Sequence, residues 1–77
     1  MASSDAGLAD PRAYLRLAAT MRRQISDGTL QPRQPAPSIT HLSLEYGHPR
    51  PTCGKALRTL EDEGLLTRIP GLGYYVT

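Results

Sequence analysis

Between Gly47 and Leu60 the sequence runs Gly-His-Pro-Arg-Pro-Thr-Cys-Gly-Lys-Ala-Leu-Arg-Thr-Leu, and one pattern in it restricts the fold more than any other. Cys53, Ala56, Leu57 and Leu60 stand at i, i+3, i+4 and i+7, so on a helix they form a single apolar stripe that has to be buried. Arg50, Lys55 and Arg58 fall on the other side, and no acid interrupts them between Gly47 and Leu60. A helix docked by this stripe presents a cationic outer face, the arrangement suited to lying against a polyanion. Gly47 can leave a preceding helix at positive φ. Pro51 fits a helix only in the first turn, where its missing N–H has no partner to lose. The order helix, tight turn, basic helix follows.

Size and chemistry exclude several classes. With 77 residues the chain makes one small domain, of a size that buries only about 60% of its unfolded surface. It has no Trp and no Phe, so the core must come from Leu, Ile, Val, Ala, Met and four Tyr. Nine Lys and Arg against seven Asp and Glu give +2, too little to argue a partner from the total; the distribution carries the signal. A lone cysteine cannot close an internal disulfide, and no signal-peptide pattern or apolar run long enough for a membrane is present. The expectation is a soluble, cytoplasmic domain without a membrane partner. His41, His48 and Cys53 lack metal-ligand spacing, and Gly71-x-Gly73 lacks the third glycine and following helix of a nucleotide loop. No paired carboxylates or nucleophile–base set stands out, so neither an enzyme nor a cofactor or metal is expected.

In chain order, Met1 to Ala9 has the composition of a disordered leader, and residues 10–77 form the domain. Asp10-Pro11 reads as a helix start, with Asp10 as cap and Pro11 at the first helical position. Tyr14, Leu17, Ala18, Met21 and Ile25 keep helical spacing up to Gly28, while Arg12, Arg16, Arg22, Arg23 and Gln24 make the other side, read as a solvated face with phosphate contact as the less common alternative. Pro32, Pro35 and Pro37 then impose an extended connector, with room for a very short strand. Ser38 caps a second helix that buries Ile39, Leu42 and Tyr46, without a capping box because His41 stands three residues on. The third helix covers about 50–63. Glu61, Asp62 and Glu63 in its last turn oppose the helix dipole, so its stop must rest on Gly64 and on packing of Leu65 and Leu66. Leu65 to Ile69 and Tyr74 to Val76 are strand-like, joined by a Pro70-Gly71-Leu72-Gly73 tip.

Three helices and a hairpin, with a turn of about four residues between the second and third helices, make a winged helix-turn-helix, mainly α with a small β-hairpin. In that fold Arg50 sits where base edges are reachable, and its fork matches guanine O6 and N7; otherwise it is an exposed charge. Lys55 and Arg58 lie further along and read as phosphate contacts or solvated charges. Pro51 has only apolar contact to give, for example to a thymine methyl. The Gly71-Leu72-Gly73 tip is either a plain tight turn or a wing whose small residues approach a sugar–phosphate chain, with Arg68 and Tyr74 beside it as phosphate donors.

The order and spacing of Ile25, Gly28, Leu30, Pro32, Pro37-Ser38, Leu42, Tyr46-Gly47, Arg50, Thr52, Ala56-Leu57, Leu60, Glu63-Gly64-Leu65-Leu66 and Gly71-Leu-Gly73-Tyr-Tyr75-Val76 resemble the N-terminal DNA-binding domain of GntR-family transcription regulators. The resemblance spans Tyr14 to Val76. It implies a bacterial regulator, most often a repressor, whose third helix enters the major groove and whose wing, about 65–77, meets the adjacent minor groove. It implies that Arg50 reads a guanine, that Thr52 contacts phosphate or base, and that Gly71 and Gly73 are the wing glycines. Ser38 and Thr40, at the start of the second helix, complete the DNA-binding candidates. The sequence departs from the family at Thr40, where Arg is usual, at Pro49 in place of Ser, and at Arg33 in place of Gly. A double-stranded operator, a homodimeric full-length protein and a small-molecule effector held by a C-terminal domain beginning after Val76 are further implications. Winged helices also serve as protein–protein modules, which is the alternative reading. RNA is a weaker third, because the tyrosines stand at core-like positions.

Overall fold

The computed structural model describes residues 11–77, so the expected leader and the Asp10 cap lie outside the described residues. Three helices, α1 (Ala13–Ser26), α2 (Ile39–Tyr46) and α3 (Arg50–Asp62), are followed by the antiparallel strands β1 (Leu66–Ile69) and β2 (Gly73–Val76). The fold is a winged helix, as the sequence predicts. Among the described residues no helix is long and apolar enough to cross a membrane.

The α3 stripe forms the centre of the core. Cys53, Ala56, Leu57 and Leu60 are each at most 1% exposed and cluster with Leu17, Ala18 and Met21 of α1, Leu42 of α2, Leu66 and Val76. Each fully buried leucine contributes about 1.5–3 kcal/mol. Tyr14, Ile25, Ile39 and Tyr46 are only partly buried and pack against the outside of this cluster rather than within it. α1 begins at Ala13 instead of Pro11: the Arg12 carbonyl is the first acceptor of the helix, taking the Leu15 and Arg16 N–H groups at 3.0 and 3.3 Å, and Arg12 occupies the N-cap position, where its side chain does not cap the helix.

The turn between α2 and α3 is held at both ends. Ser38 Oγ accepts the His41 N–H at 3.0 Å to start α2, and Gly47 ends it at φ 73°. Ser43 Oγ donates to the His48 carbonyl at 2.7 Å, fastening the turn to the helix it leaves. Pro49 is the N-cap of α3 and Pro51 lies in its first turn. The linker is Gly47, His48 and Pro49, one residue shorter than expected.

At the far end of α3 the structure adds an interaction across 41 positions of sequence. Arg22 of α1 donates from Nε and Nη2 to Glu63 at 2.9 and 2.7 Å, a forked pair that ties the C-terminus of α3 to α1. One of the three unfavourable acids thus gains a cation, and Arg22 is not the solvated charge its spacing predicts. Gly64 then turns the chain at φ 81° into β1.

Leu66 pairs with Val76, Thr67 with Tyr75, Arg68 with Tyr74 and Ile69 with Gly73. β1 therefore starts at Leu66 rather than Leu65, and β2 at Gly73 rather than Tyr74. The connector between α1 and α2 supplies the short strand for which there was room. Pro35 bridges Tyr75, and backbone bonds run from Arg33 to Val76 at 2.8 Å, from Val76 to Gln34 at 2.9 Å and from Ala36 to Tyr74 at 2.8 Å. The wing is thereby anchored on its β2 edge. To make the first of these bonds Arg33 adopts φ 68°, the one left-handed non-glycine residue among those described. This is the position where the family pattern carries glycine.

Two outcomes follow from these contacts. Arg33→Gly relieves about 1–2 kcal/mol of left-handed strain and gives back part of it as chain entropy. A net gain of about 0.5–1 kcal/mol in thermal or urea unfolding is expected, and a loss would mean that the Arg33 side chain outweighs its backbone strain. The second outcome concerns acid. The hydrogen bonds from Arg22 hold the Glu63 carboxyl below its usual range, so its stabilisation is present above the unfolded value of about 4.3 and fades as pH falls through the lower folded value. Glu63→Gln should melt slightly below wild type at neutral pH, with the gap closing in acid; a gap independent of pH would contradict the ion pair.

Candidate nucleic-acid interface

The wing does not stand clear of the helices but leans over α3 and the start of α2. Register places Leu66, Arg68, Tyr74 and Val76 on one face of the hairpin, and this face changes character along its length. At the base Leu66 and Val76 enter the core. Towards the tip Arg68 and Tyr74 border a cleft of about 410 Å³ above α3, together with Ile39, Gly54, Arg58 and Glu61. A second hollow of about 300 Å³ adjoins it through Ile39 and Tyr74 and gathers Ser38, Thr40, Arg50, Leu72 and Gly73 over the connector prolines and Leu57. Residues from both ends of the sequence-predicted set thus line one concave side of the molecule.

Four predicted residues line neither hollow. Pro51 is exposed and Thr52 half-buried in the first turn of α3, and Gly71, at φ 81°, forms the outer part of the tip. Lys55 turns towards α1, with Nζ 4.2 Å from the centroid of the Tyr14 ring. That cation–π contact draws the ammonium to the α1 flank of α3, away from the wing. Tyr14 was legible only as a core residue; its partnership with Lys55 depends on how α1 and α3 are set side by side.

Arg50 is restrained. Its Nη1 donates to Thr40 Oγ1 at 2.9 Å, a bond between the first turns of two different helices. The bond takes from the guanidinium part of its freedom to rotate. Arg58 and Arg68 form no hydrogen bond or ion pair with any described residue, and Glu61 is the one carboxylate lining the two hollows. Three other acids are engaged elsewhere, Glu45 with His41 at 2.9 Å, Glu63 with Arg22, and Asp27 with the Thr29 N–H, which holds the Asp27 carboxyl low; Asp62, at the end of α3, is exposed and lines neither hollow. Among the described residues no cluster of His, Cys, Asp or Glu could hold a metal ion. Burial pushes the Cys53 thiol up, as its place in the core requires.

A concave, cationic side made from two helix N-termini and a wing has counterparts in known proteins. The family described as "Bacterial regulatory proteins, gntR family" matches residues 13–76. The chain belongs to the GntR family. Its fold is that of a GntR-family DNA-binding domain. The chain is similar to the HTH-type transcriptional repressor NagR of Bacillus subtilis, 38% identical over 64 residues that cover 83% of this chain and 26% of NagR. It is similar also to the histidine utilization repressor of Klebsiella aerogenes, 36% identical over 63 residues, 82% of this chain and 26% of that protein. The chain therefore spans about a quarter of the length of these curated relatives. Among solved structures, the DNA-binding domain of AraR in complex with operator ORX1 superposes with a TM-score of 0.80 at 29% identity, over 84% of this chain and 78% of that one. A putative GntR-family transcriptional regulator superposes at 0.79 with 36% identity, over 87% of this chain and 26% of that one.

Within this GntR domain the Thr40–Arg50 bond has a direct signature. Thr40→Val removes the acceptor and keeps the shape, so the Arg50 side chain should become more mobile, read as a lower heteronuclear NOE at its Nε, while the melting temperature stays within about 2–4 °C, since the bond is exposed and worth about 0.5 kcal/mol. Unchanged Nε relaxation would show that Thr40 does not hold the guanidinium in solution.

Proposed function

We propose that this domain recognises a specific double-stranded operator and regulates transcription, as a bacterial repressor, with α3 in the major groove and the wing beside the neighbouring minor groove. One observation carries the reading: Arg50 stands at the N-terminal entry of α3, where base edges are within reach, already held by Thr40 and on the same side as the wing tip. The repressors NagR and the histidine utilization repressor, and the AraR complex with its operator, support it from outside the chain.

In this proposal Arg50 reads a guanine through O6 and N7, Thr52 and Ser38 bind phosphate at the two helix starts, and Pro51 packs on a base. Thr40 acts through Arg50. Lys55, on the α1 flank, takes a phosphate on one side of the groove, and Arg68, Tyr74 and the Gly71-Leu72-Gly73 tip approach the backbone on the other. For the full-length protein the proposal extends to a homodimer reading two half-sites in the cytoplasm, with a small-molecule effector bound outside this domain, and no catalytic role or cofactor is assigned to the domain itself. Use of the same surface for a protein partner is the competing outcome.

Selection of bound sequences from random duplexes, followed by titration at several salt concentrations, tests this directly. Arg50→Ala should lose about 1–3 kcal/mol on the selected site and relax preference at one base pair. Lys55→Ala should weaken selected and scrambled duplexes alike and lower the slope of log affinity against log salt by about one unit. Equal weakening of both duplexes by Arg50→Ala would refute base reading there, and binding without salt dependence would favour the protein–protein use.

A further inference from the structure

Two arginines border the cleft of about 410 Å³ between α3 and the wing, Arg58 from the helix and Arg68 from β1. Neither guanidinium makes a hydrogen bond or ion pair with a described residue, whereas Arg22 closes its fork on Glu63 at 2.9 and 2.7 Å. Glu61 lines the same cleft but pairs with neither of them. Two guanidiniums around one concavity repel each other. An anion between them removes that repulsion and satisfies several donors at once.

Local structure sets both side chains towards the cleft. Helical side chains lean towards the N-terminus, and Arg58 accordingly covers the buried Gly54 one turn back, its Nη1 3.5 Å from where a Cβ on that glycine would stand. Arg68 is placed by register: it stands opposite Tyr74 on the hairpin face whose Leu66 and Val76 enter the core beside α3. The path of a bound duplex runs through the same gap. With α3 in the major groove and the wing in the neighbouring minor groove, the domain straddles one sugar–phosphate strand, because a single strand separates those two grooves. That strand has to pass between α3 and the wing. Residues at the N-terminal end of a recognition helix reach base edges, and Arg58 lies two turns beyond Arg50, past that end.

We propose that Arg58 and Arg68 clamp one phosphate group of the DNA strand that runs between the two grooves, Arg58 from α3 and Arg68 from the wing. The planar fork of each guanidinium matches phosphate geometry, and the two free oxygens of a phosphodiester can accept from both arginines together. Neither arginine reads a base. The shared phosphate fastens the wing to α3 through the DNA, so the contact fixes the position of both elements on the duplex while carrying no sequence information of its own. The inference rests on the DNA-binding reading above and deepens it.

The test uses this chain, a scrambled duplex, and the duplex selected by the wild type, the last also made with one neutral methylphosphonate at each successive backbone position. Arg58→Gln and Arg68→Gln should each bind selected and scrambled duplexes about tenfold more weakly, with base-pair preference unchanged. Both should melt close to the wild type, since both side chains are exposed. One methylphosphonate position should weaken wild-type binding by a similar factor. At that position each single variant should lose part of the sensitivity and the double variant all of it, while sensitivity at the other positions stays as in the wild type. Loss of sensitivity at two different phosphates would make the arginines separate contacts and overturn the clamp. Wild-type affinity in either variant, a changed base-pair preference, or weakening that follows a lowered melting temperature would overturn it as well. If Arg50→Ala relaxes preference while Arg58→Gln and Arg68→Gln bind as the wild type does, only this inference falls. A wild-type chain that does not bind duplex DNA removes the DNA-binding reading and the clamp with it.

Discussion

Burial of the Cys53, Ala56, Leu57 and Leu60 stripe sets the orientation of everything else in the domain. Because those four side chains must face Leu17, Ala18 and Met21, the rotation of α3 about its axis is fixed, and with it the outward direction of Arg58 and the flank positions of Arg50 and Lys55. The small residues at Ala18 and Ala56, both fully buried, suit close packing of α1 on α3 in a core that has no Phe or Trp to fill space. Cys53 serves the same packing as a small apolar group, with its Sγ 3.9 Å from the His48 carbonyl. A recognition surface carried on a helix is only as well placed as the packing beneath it.

The wing depends on a second constraint. Two four-residue strands alone are marginal in water. Here β2 is bonded on its free edge by the connector at Arg33, Gln34 and Ala36, while Leu66 and Val76 seal the base into the core. The connector's prolines, which forbid a helix, thus also allow an extended strand. The strain at Arg33 is the visible cost of forcing the chain through that path, and it coincides with a departure from the family pattern. Fixing the wing in this way also brings Arg68 and Tyr74 over α3 and creates the cleft.

How the charges are used separates two kinds of arginine. Arg22 spends its fork on Glu63 and joins two helices, whereas Arg58 and Arg68 keep theirs unengaged by the described residues. Composition does not distinguish them. Spacing along α1 puts Arg22 in a row with Arg12, Arg16 and Arg23, all of which read as solvated, and nothing local identifies the carboxylate 41 positions away. Arg50 and Thr40 pose the same difficulty: each is a first-turn residue of its own helix, and only the angle between α2 and α3 makes one the partner of the other.

The sequence by itself determined the three helices, their buried stripes, the Ser38 cap, the Gly47 and Gly64 reversals and the hairpin, because each is a local matter of period, capping and backbone freedom that a few neighbouring residues decide. It also determined that α3 would carry bases on the side away from its stripe. The tertiary structure alone decided which elements the connector pairs with, that Lys55 lies on Tyr14, that Arg50 is held by Thr40, that Glu63 finds Arg22, and that Gly54 lies in a cleft wall beneath Arg58. These are contacts between residues distant in sequence or on different turns, and their geometry comes from how the helices and wing close around one core.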